Sequence, residues 1–178
     1  MKVVTYSEAR NALKTLLDRV HDDADVMVIS RRDGADAVVM SLDHYQSIME
    51  TMHLLGTPAN AAHLAKSIAQ HKVGKVLRRD CYRPDWIGRS TARAIRFTLA
   101  AWEDCLYWQG QDKKTLKRIN ALIDAPVREP FIGIGKPEPL LGNLAGYWSR
   151  RIDETHRLVY AVDDADLDVI ACRGHYAD

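Results

Sequence analysis

Two spacings of apolar residues alternate along this chain, and their order lays out the elements. KVV at 2–4 fits a short strand. Behind it Ala9, Leu13, Leu16, Leu17 and Val20 recur at helical spacing, with Ser7 as the expected cap and Arg10, Lys14 and Asp18 on the opposite face. VMVIS and ADAVVM flank RRDG, whose residue types suit a turn, and so predict a hairpin. Ser41 and Asp43 open a helix through His53, and Thr57 caps another in which Pro58 is the first helical residue. Strand, helix, hairpin, helix is the order of a small α/β module. Gly74, Pro84 and Gly88 then interrupt any long helix, which predicts a domain boundary in this stretch.

The second half repeats the exercise with longer elements. Residues 94–97 read as a first strand. LAAWEDCLYWQ and KKTLKRINALIDA then read as two amphipathic helices, the second with Leu116, Ile119, Leu122 and Ile123 on one face and Asp112 as its cap. YWSRRI and HRLVYAV, joined by Asp153, Glu154 and Thr155, predict a hairpin, and LDVIACRGHY a further strand. Alternation puts Trp148, Arg150 and Ile152 on one face and Tyr147, Ser149 and Arg151 on the other; Leu158, Tyr160 and Val162 oppose Arg157 and Val159. A three-residue connection sets Arg151 beside Arg157 on the face away from the core. In the last strand Arg173 and His175 are expected on one face, Ile170 and Cys172 on the other. Two helices covering an antiparallel sheet give an α+β layer fold.

Composition adds limits. The 178 residues are 47% hydrophobic and 28% charged, a globular balance, with no apolar run long enough to span a bilayer and no signal-peptide core at the start. The expected location is the cytoplasm, without a membrane partner. Three cysteines, at 81, 105 and 172, have neither disulfide-framework nor zinc spacing, so reduced thiols and no metal site are expected. Net charge is only +1, but residues 72–96 hold 8 basic against 2 acidic side chains, a local excess of +6.

Chemistry gathers between Lys136 and His175. Glu138 lies between two prolines in GIGKPEP, read as a loop that can hold one carboxylate still. Three strand ends can bring Arg151, Arg157, Arg173 and His175 around one spot. A carboxylate base, an imidazole acid and guanidiniums that fork onto phosphate oxygens are the parts needed to drive a ribose 2′-hydroxyl at its adjacent phosphate. That reaction needs no metal and no cofactor.

The stretch PFIGIGKPEPLLGNLAGYWSRRIDETHRLVYAV, closing on ACRGHY, resembles the YoeB branch of the RelE-like bacterial toxins, and the resemblance runs from Phe97 to Tyr176. It implies cleavage of messenger RNA engaged in the ribosome, through a 2′,3′-cyclic phosphate. It places the general base on Glu138, the general acid on His175 and the transition-state arginine on Arg157, with Lys136, Arg151 and Tyr176 as RNA-binding support. Leu141 stands where that family often has a lysine, and Ala177 and Asp178 follow a tyrosine that is usually terminal. The first half, through VVTYSEARNAL, VISRRDGADAVVMSLDHYQSIMET and LLGTPANAAHLAKSIA, resembles the Phd/YefM antitoxins over residues 1–74. That implies homodimerisation and binding to operator DNA, with Arg10 and Arg31 at the contact positions, and an intramolecular antitoxin–toxin contact.

The expected organisation is therefore an α/β antitoxin module at 1–74, a basic connecting segment at 75–93 and an α+β RelE-like toxin domain at 94–178. The basic segment stands where such antitoxins carry an acidic tail, so the expectation is that this tail has been replaced, for example by a frame shift that joined two adjacent genes. The expected function is a self-inhibited, metal-independent endoribonuclease. The alternative is a catalytically silent DNA-binding regulator that uses its second half as a structural body.

Overall fold

The computed structural model describes residues 2–22, 26–78 and 93–175. The chain divides into two compact units, Met1–Met49 and Glu50–Asp178.

In the first unit, β1 (Lys2–Thr5) lies parallel to β2 (Met27–Ser30), which pairs antiparallel with β3 (Ala37–Val39). The expected hairpin is therefore present. Helix α1 (Tyr6–Asn11) is capped by Thr5, two residues before the expected Ser7. Thr5 and Glu8 exchange side chain and backbone in a capping box, which satisfies two otherwise orphaned N–H groups. Ala12 leaves helical geometry, so a second helix, α2 (Leu13–Asp22), carries on where one continuous helix was expected. Ala9, Leu16, Val20 and Met27 form the small core between helices and strands.

Helix α3 (Leu42–Leu55) begins after Ser41, whose hydroxyl accepts from the His44 N–H, and its last turns belong to the second unit. Helix α4 (Pro58–Lys72) starts as the sequence predicts, with the Thr57 hydroxyl accepting from Asn60 N–H and Pro58 at the first position, where its missing N–H costs nothing. The remaining elements are β4 (Val76–Arg78), β5 (Ala94–Thr98), α5 (Leu99–Gln111), α6 (Lys113–Arg128), β6 (Glu138–Pro139), β7 (Trp148–Arg151), β8 (Arg157–Val162) and β9 (Asp166–Ala171). Asp112 caps α6, as expected.

Six strands form one sheet in the order β4-β5-β9-β8-β7-β6, antiparallel except for the parallel β5–β9 pair. Part of the basic segment, Val76–Arg78, is thus the sheet's edge strand.

Both faces of this sheet are covered. On one, α5 and α6 contribute Ala101, Cys105, Trp108, Ile119, Leu122 and Ile123 against Leu158, Tyr160, Leu167 and Val169. This is the predicted α+β layer. On the other, Leu54, Leu64 and Ile68 pack on Leu140, Leu144, Tyr147, Val159, Ile170 and Ala171. The face expected to look outward is therefore a second core. Trp148 and Ile152 pack with the first cluster and Tyr147 with the second, so the alternation along β7 holds.

It fails at the end of β9. Ile170 and Cys172, expected to share a face, lie in opposite cores, because the β8–β9 register slips between Val159 and Tyr160 and the strand stops at Ala171. An inserted residue of this kind exchanges the faces beyond it.

Arg150 organises the turn between α6 and β6. Its guanidinium is fully buried and donates to the carbonyls of Glu129, Pro130, Ile132 and Ile134 and to the Tyr160 hydroxyl. One charged fork thus closes a backbone segment with no ladder of its own. Gly135 completes the turn at φ +79°. A Cβ there would lie 2.5 Å from Leu122 Cδ2, and the Gly135 carbonyl accepts from Arg151 N–H at 2.6 Å.

Candidate active site

Glu138 does not sit in a loop, as its flanking prolines suggested. It opens β6 and pairs with Ser149 on β7, and the residue is 6% exposed. Directly paired residues point the same way, so Glu138, Ser149 and Val159 share one row across β6, β7 and β8. Lys136, the one non-glycine residue at positive φ (52°) among those described, sends its ammonium to Glu138 Oε1 at 3.2 Å.

Arg151 and Arg157 form the neighbouring row, paired Cα to Cα as the connection length predicted. They lie two residues along their strands from Ser149 and Val159, on the same face. Their surroundings differ. Arg151 is exposed, whereas Arg157 is 7% exposed and ion-paired with Glu50 from the last turns of α3. Arg157 Nε donates to Glu50 Oε1 at 2.6 Å, the same oxygen accepts from Ser149 Oγ at 2.7 Å, and Glu50 itself is 4% exposed. Arg157 Nη1 caps the β7–β8 turn by donating to the carbonyls of Asp153, Glu154 and His156.

His175 lies beyond β9, between α4 and α5. Its backbone is held on both sides by the start of α4: His175 N–H donates to Asn60 Oδ1 at 3.0 Å, and the Thr57 hydroxyl donates to the His175 carbonyl at 3.1 Å. Its Nε2 is 3.0 Å from Asp104 Oδ1, while His63 Nε2 reaches Asp104 Oδ2 at 3.2 Å and the two imidazoles stack 3.8 Å apart. Burial pushes the Asp104 carboxyl upward. Hydrogen bonds from His175 and His63, the nearby His63 charge and the Cys172 N–H outweigh it and leave the group below the ordinary range. Arg173, expected with this group, lies over the Tyr107 ring at 3.6 Å instead.

Glu138, Arg151 and Arg157 are therefore brought onto one face, and the C-terminal segment comes alongside. Gly174 N–H donates to Nδ1 of His156, the residue before Arg157, at 3.1 Å. The His175 side chain itself bonds Asp104 and stacks on His63. Tyr176 lies outside the described residues. In the first unit Arg10 and Arg31 are exposed, and Arg31 lines a concave surface with Thr5, Tyr6, Ser7, Ser30, Arg32 and Asp33.

Glu50, His63 and Asp104 were missed from sequence. Asp104 left a trace: with Ala101, Cys105 and Trp108 it falls on the buried face of α5, where a lone carboxylate requires partners. Glu50 left none, because its burial depends on a sheet more than ninety residues further along.

Residues 97–176 match the family described as YoeB-like toxin of bacterial type II toxin-antitoxin system, and residues 1–74 match Antitoxin Phd_YefM, type II toxin-antitoxin system. Toxin YoeB of Synechocystis sp. is 62% identical over 82 residues, covering 46% of this chain and 95% of that protein. Antitoxin YefM of the same organism is 37% identical over 78 residues, covering 44% of this chain and 90% of that protein. Among solved structures, a YoeB-YefM complex from Staphylococcus aureus aligns at 47% identity with a TM-score of 0.45, covering 47% of this chain and 98% of that one. No helix among the described residues is long and apolar enough to cross a membrane. The chain belongs to the Phd/YefM antitoxin family through its first 74 residues and to the YoeB toxin family through residues 97–176, and so is an antitoxin–toxin fusion.

Proposed function

We propose that residues 94–178 are a metal-independent endoribonuclease acting on messenger RNA in the ribosome, and that residues 1–74 bind operator DNA as a homodimer and neutralise the nuclease within the same chain. Residues 75–93 connect the two. Glu138 takes the proton from a ribose 2′-hydroxyl, whose oxygen attacks the adjacent phosphorus. The bond to the 5′-oxygen breaks, His175 supplies that oxygen with a proton, and the products are a 2′,3′-cyclic phosphate and a free 5′-hydroxyl. Arg157 holds the charge that develops on the phosphoryl oxygens, and Lys136, Arg151 and Tyr176 hold the strand. On the DNA side, Arg10 and Arg31 contact the operator.

One observation carries this reading: a carboxylate and two guanidiniums lie in adjacent rows on one sheet face, and the segment bearing His175 is hydrogen-bonded to the residue beside Arg157. Neutralisation has its own support. Leu54, Leu64 and Ile68, all within the stretch matching the antitoxin family, pack on that face. Glu50 meanwhile occupies Arg157 with a carboxylate where a phosphate would be required to bind. A tethered neutraliser acts at high effective concentration, so a quiet full-length protein is expected.

The test compares RNA cleavage in a translating extract by the full chain, by the full chain carrying Glu50→Ala, and by residues 94–178 alone. The shortened protein is expected to cleave, Glu50→Ala to cleave more than the parent, and Glu138→Gln to abolish the cleavage of the shortened protein. A folded 94–178 fragment that leaves translated RNA intact would reject the nuclease and favour the silent DNA-binding regulator.

A further inference from the structure

We propose that His63, Asp104 and His175 form a binding site for a divalent transition-metal ion of the zinc type, bridging α4, α5 and the C-terminal segment. The three side chains come from stretches far apart in sequence, yet one ligand atom from each lies within 4.8 Å of the other two. The nitrogen-to-oxygen separations are 3.0 and 3.2 Å. Tetrahedral zinc, with bonds of about 2.0–2.1 Å, sets its ligand atoms about 3.3 Å apart; since His175 meets Oδ1 and His63 meets Oδ2 of Asp104, the ion draws the three ligand atoms inward from within 4.8 Å of one another. Two imidazoles and a carboxylate are also a donor set of the right softness, and a fourth position stays open for water.

Three features show the site to be built. Asp104 is 2% exposed, and its partners among the described residues are the two imidazoles and the Cys172 N–H, with no lysine or arginine. The Cys172 N–H fixes one carboxylate oxygen from behind, the outer-shell support that ligating carboxylates use. His175 is fixed through its own backbone by Thr57 and Asn60, and stacking on His63 aims both Nε2 atoms at the same carboxylate. The imidazole side chains retain 13% and 28% exposure, which leaves an approach for the ion from the histidine side.

The ion takes the Nε2 lone pair of each ring, so a proton on Nε2 is released from an imidazolium or moves to Nδ1 in a neutral ring, and each bound ring carries its one proton on Nδ1. The ion then ties a helix of the antitoxin-like stretch to two segments of the toxin-like one. Because it takes Nε2 of His175, it also withholds that nitrogen from proton transfer; this consequence, unlike the binding, rests on the role proposed above for His175. Such an ion is a clamp and takes no part in the cleavage chemistry.

The test uses the full chain, freed of metal by chelation and titrated with zinc by calorimetry and with cobalt(II) by visible absorption. One ion per chain, the intense d–d bands of tetrahedral cobalt and a rise in Tm reversed by EDTA are expected. His63→Gln retains a hydrogen-bonding group toward Asp104 and so keeps the fold, verified by circular dichroism. It is expected to weaken zinc binding by at least about tenfold, as is His175→Gln. Equal zinc affinity in the parent and in folded His63→Gln, or only the faint bands of octahedral cobalt, would overturn the site and leave a hydrogen-bonded carboxylate. Metal uptake is read without RNA, so a chain that never cleaves anything does not alter this result.

Discussion

Arg157 shows how much of the site's state is decided by one neighbour. An exposed guanidinium is free to meet phosphate, but one that is 7% exposed and paired with an equally buried carboxylate must break that pair first. Removing one member of such a pair costs about 3–5 kcal/mol, because the other charge is then left buried without a partner. His156 is the neighbouring control point. Burial holds its pKa below the ordinary histidine value, with Asp153 and Asp104 opposing and Arg173 and His175 assisting, and its neutral Nδ1 accepts from Gly174 N–H. A depressed histidine contributes stability that is fully present above the unfolded pKa of about 6.5 and is lost as pH falls through the folded value. Urea denaturation between about pH 5 and 8 should therefore show stability declining on the acid side. His156→Gln, which keeps an acceptor for Gly174 and does not titrate, should flatten that decline.

At the level of elements, α4 does the most. Its Thr57 cap and Pro58 start are local features, but its buried face, Leu64 and Ile68, is completed only by Tyr147, Val159, Ile170 and Ala171 of the sheet. Leu64, 1% exposed, should lower stability by about 2–5 kcal/mol when replaced by alanine. If α4 is also the neutralising element, Leu64→Ala should speed amide exchange along α4 and increase RNA cleavage by the full chain. Lost stability with unchanged exchange in α4 would place the helix's hold on the sheet elsewhere. The α6–β6 turn is the opposite case, since its shape comes from a single side chain. Alternation alone puts Arg150 on the core face, but its four carbonyl acceptors come from a segment without periodicity.

For the molecule as a whole, the compact units divide at Met49 and Glu50, whereas the family matches end at residue 74 and begin again at 97. The antitoxin-like sequence therefore contributes the end of α3 and all of α4 to the unit built on the toxin-like sheet. What stays in the first unit is small and carries exposed apolar side chains at Val3, Tyr6, Leu13, Leu17, Val38 and Leu42. Exposed apolar side chains in this number on so small a core call for a partner surface, and the proposed homodimer supplies one. Light scattering of the full chain should give a dimer. Leu13→Glu combined with Leu17→Glu, both on one face of α2, should give a monomer whose second unit melts as before. A parent that is monomeric at all accessible concentrations would remove dimerisation from the reading.

The sequence alone determined the elements and the order of the two modules, because caps, turns and apolar periodicity act over a few residues. Thr57, Pro58 and Asp112 fell where predicted, and the pairing of Arg151 with Arg157 followed from the length of one connection. The tertiary structure decided which groups those arginines and imidazoles face. The burial of Glu138, the Glu50 carboxylate on Arg157, and the shared hold of His63 and His175 on Asp104 join residues roughly 40 to 110 positions apart. Such contacts depend on how a helix lies against a sheet, and no local pattern of hydrophobic and polar residues records that placement.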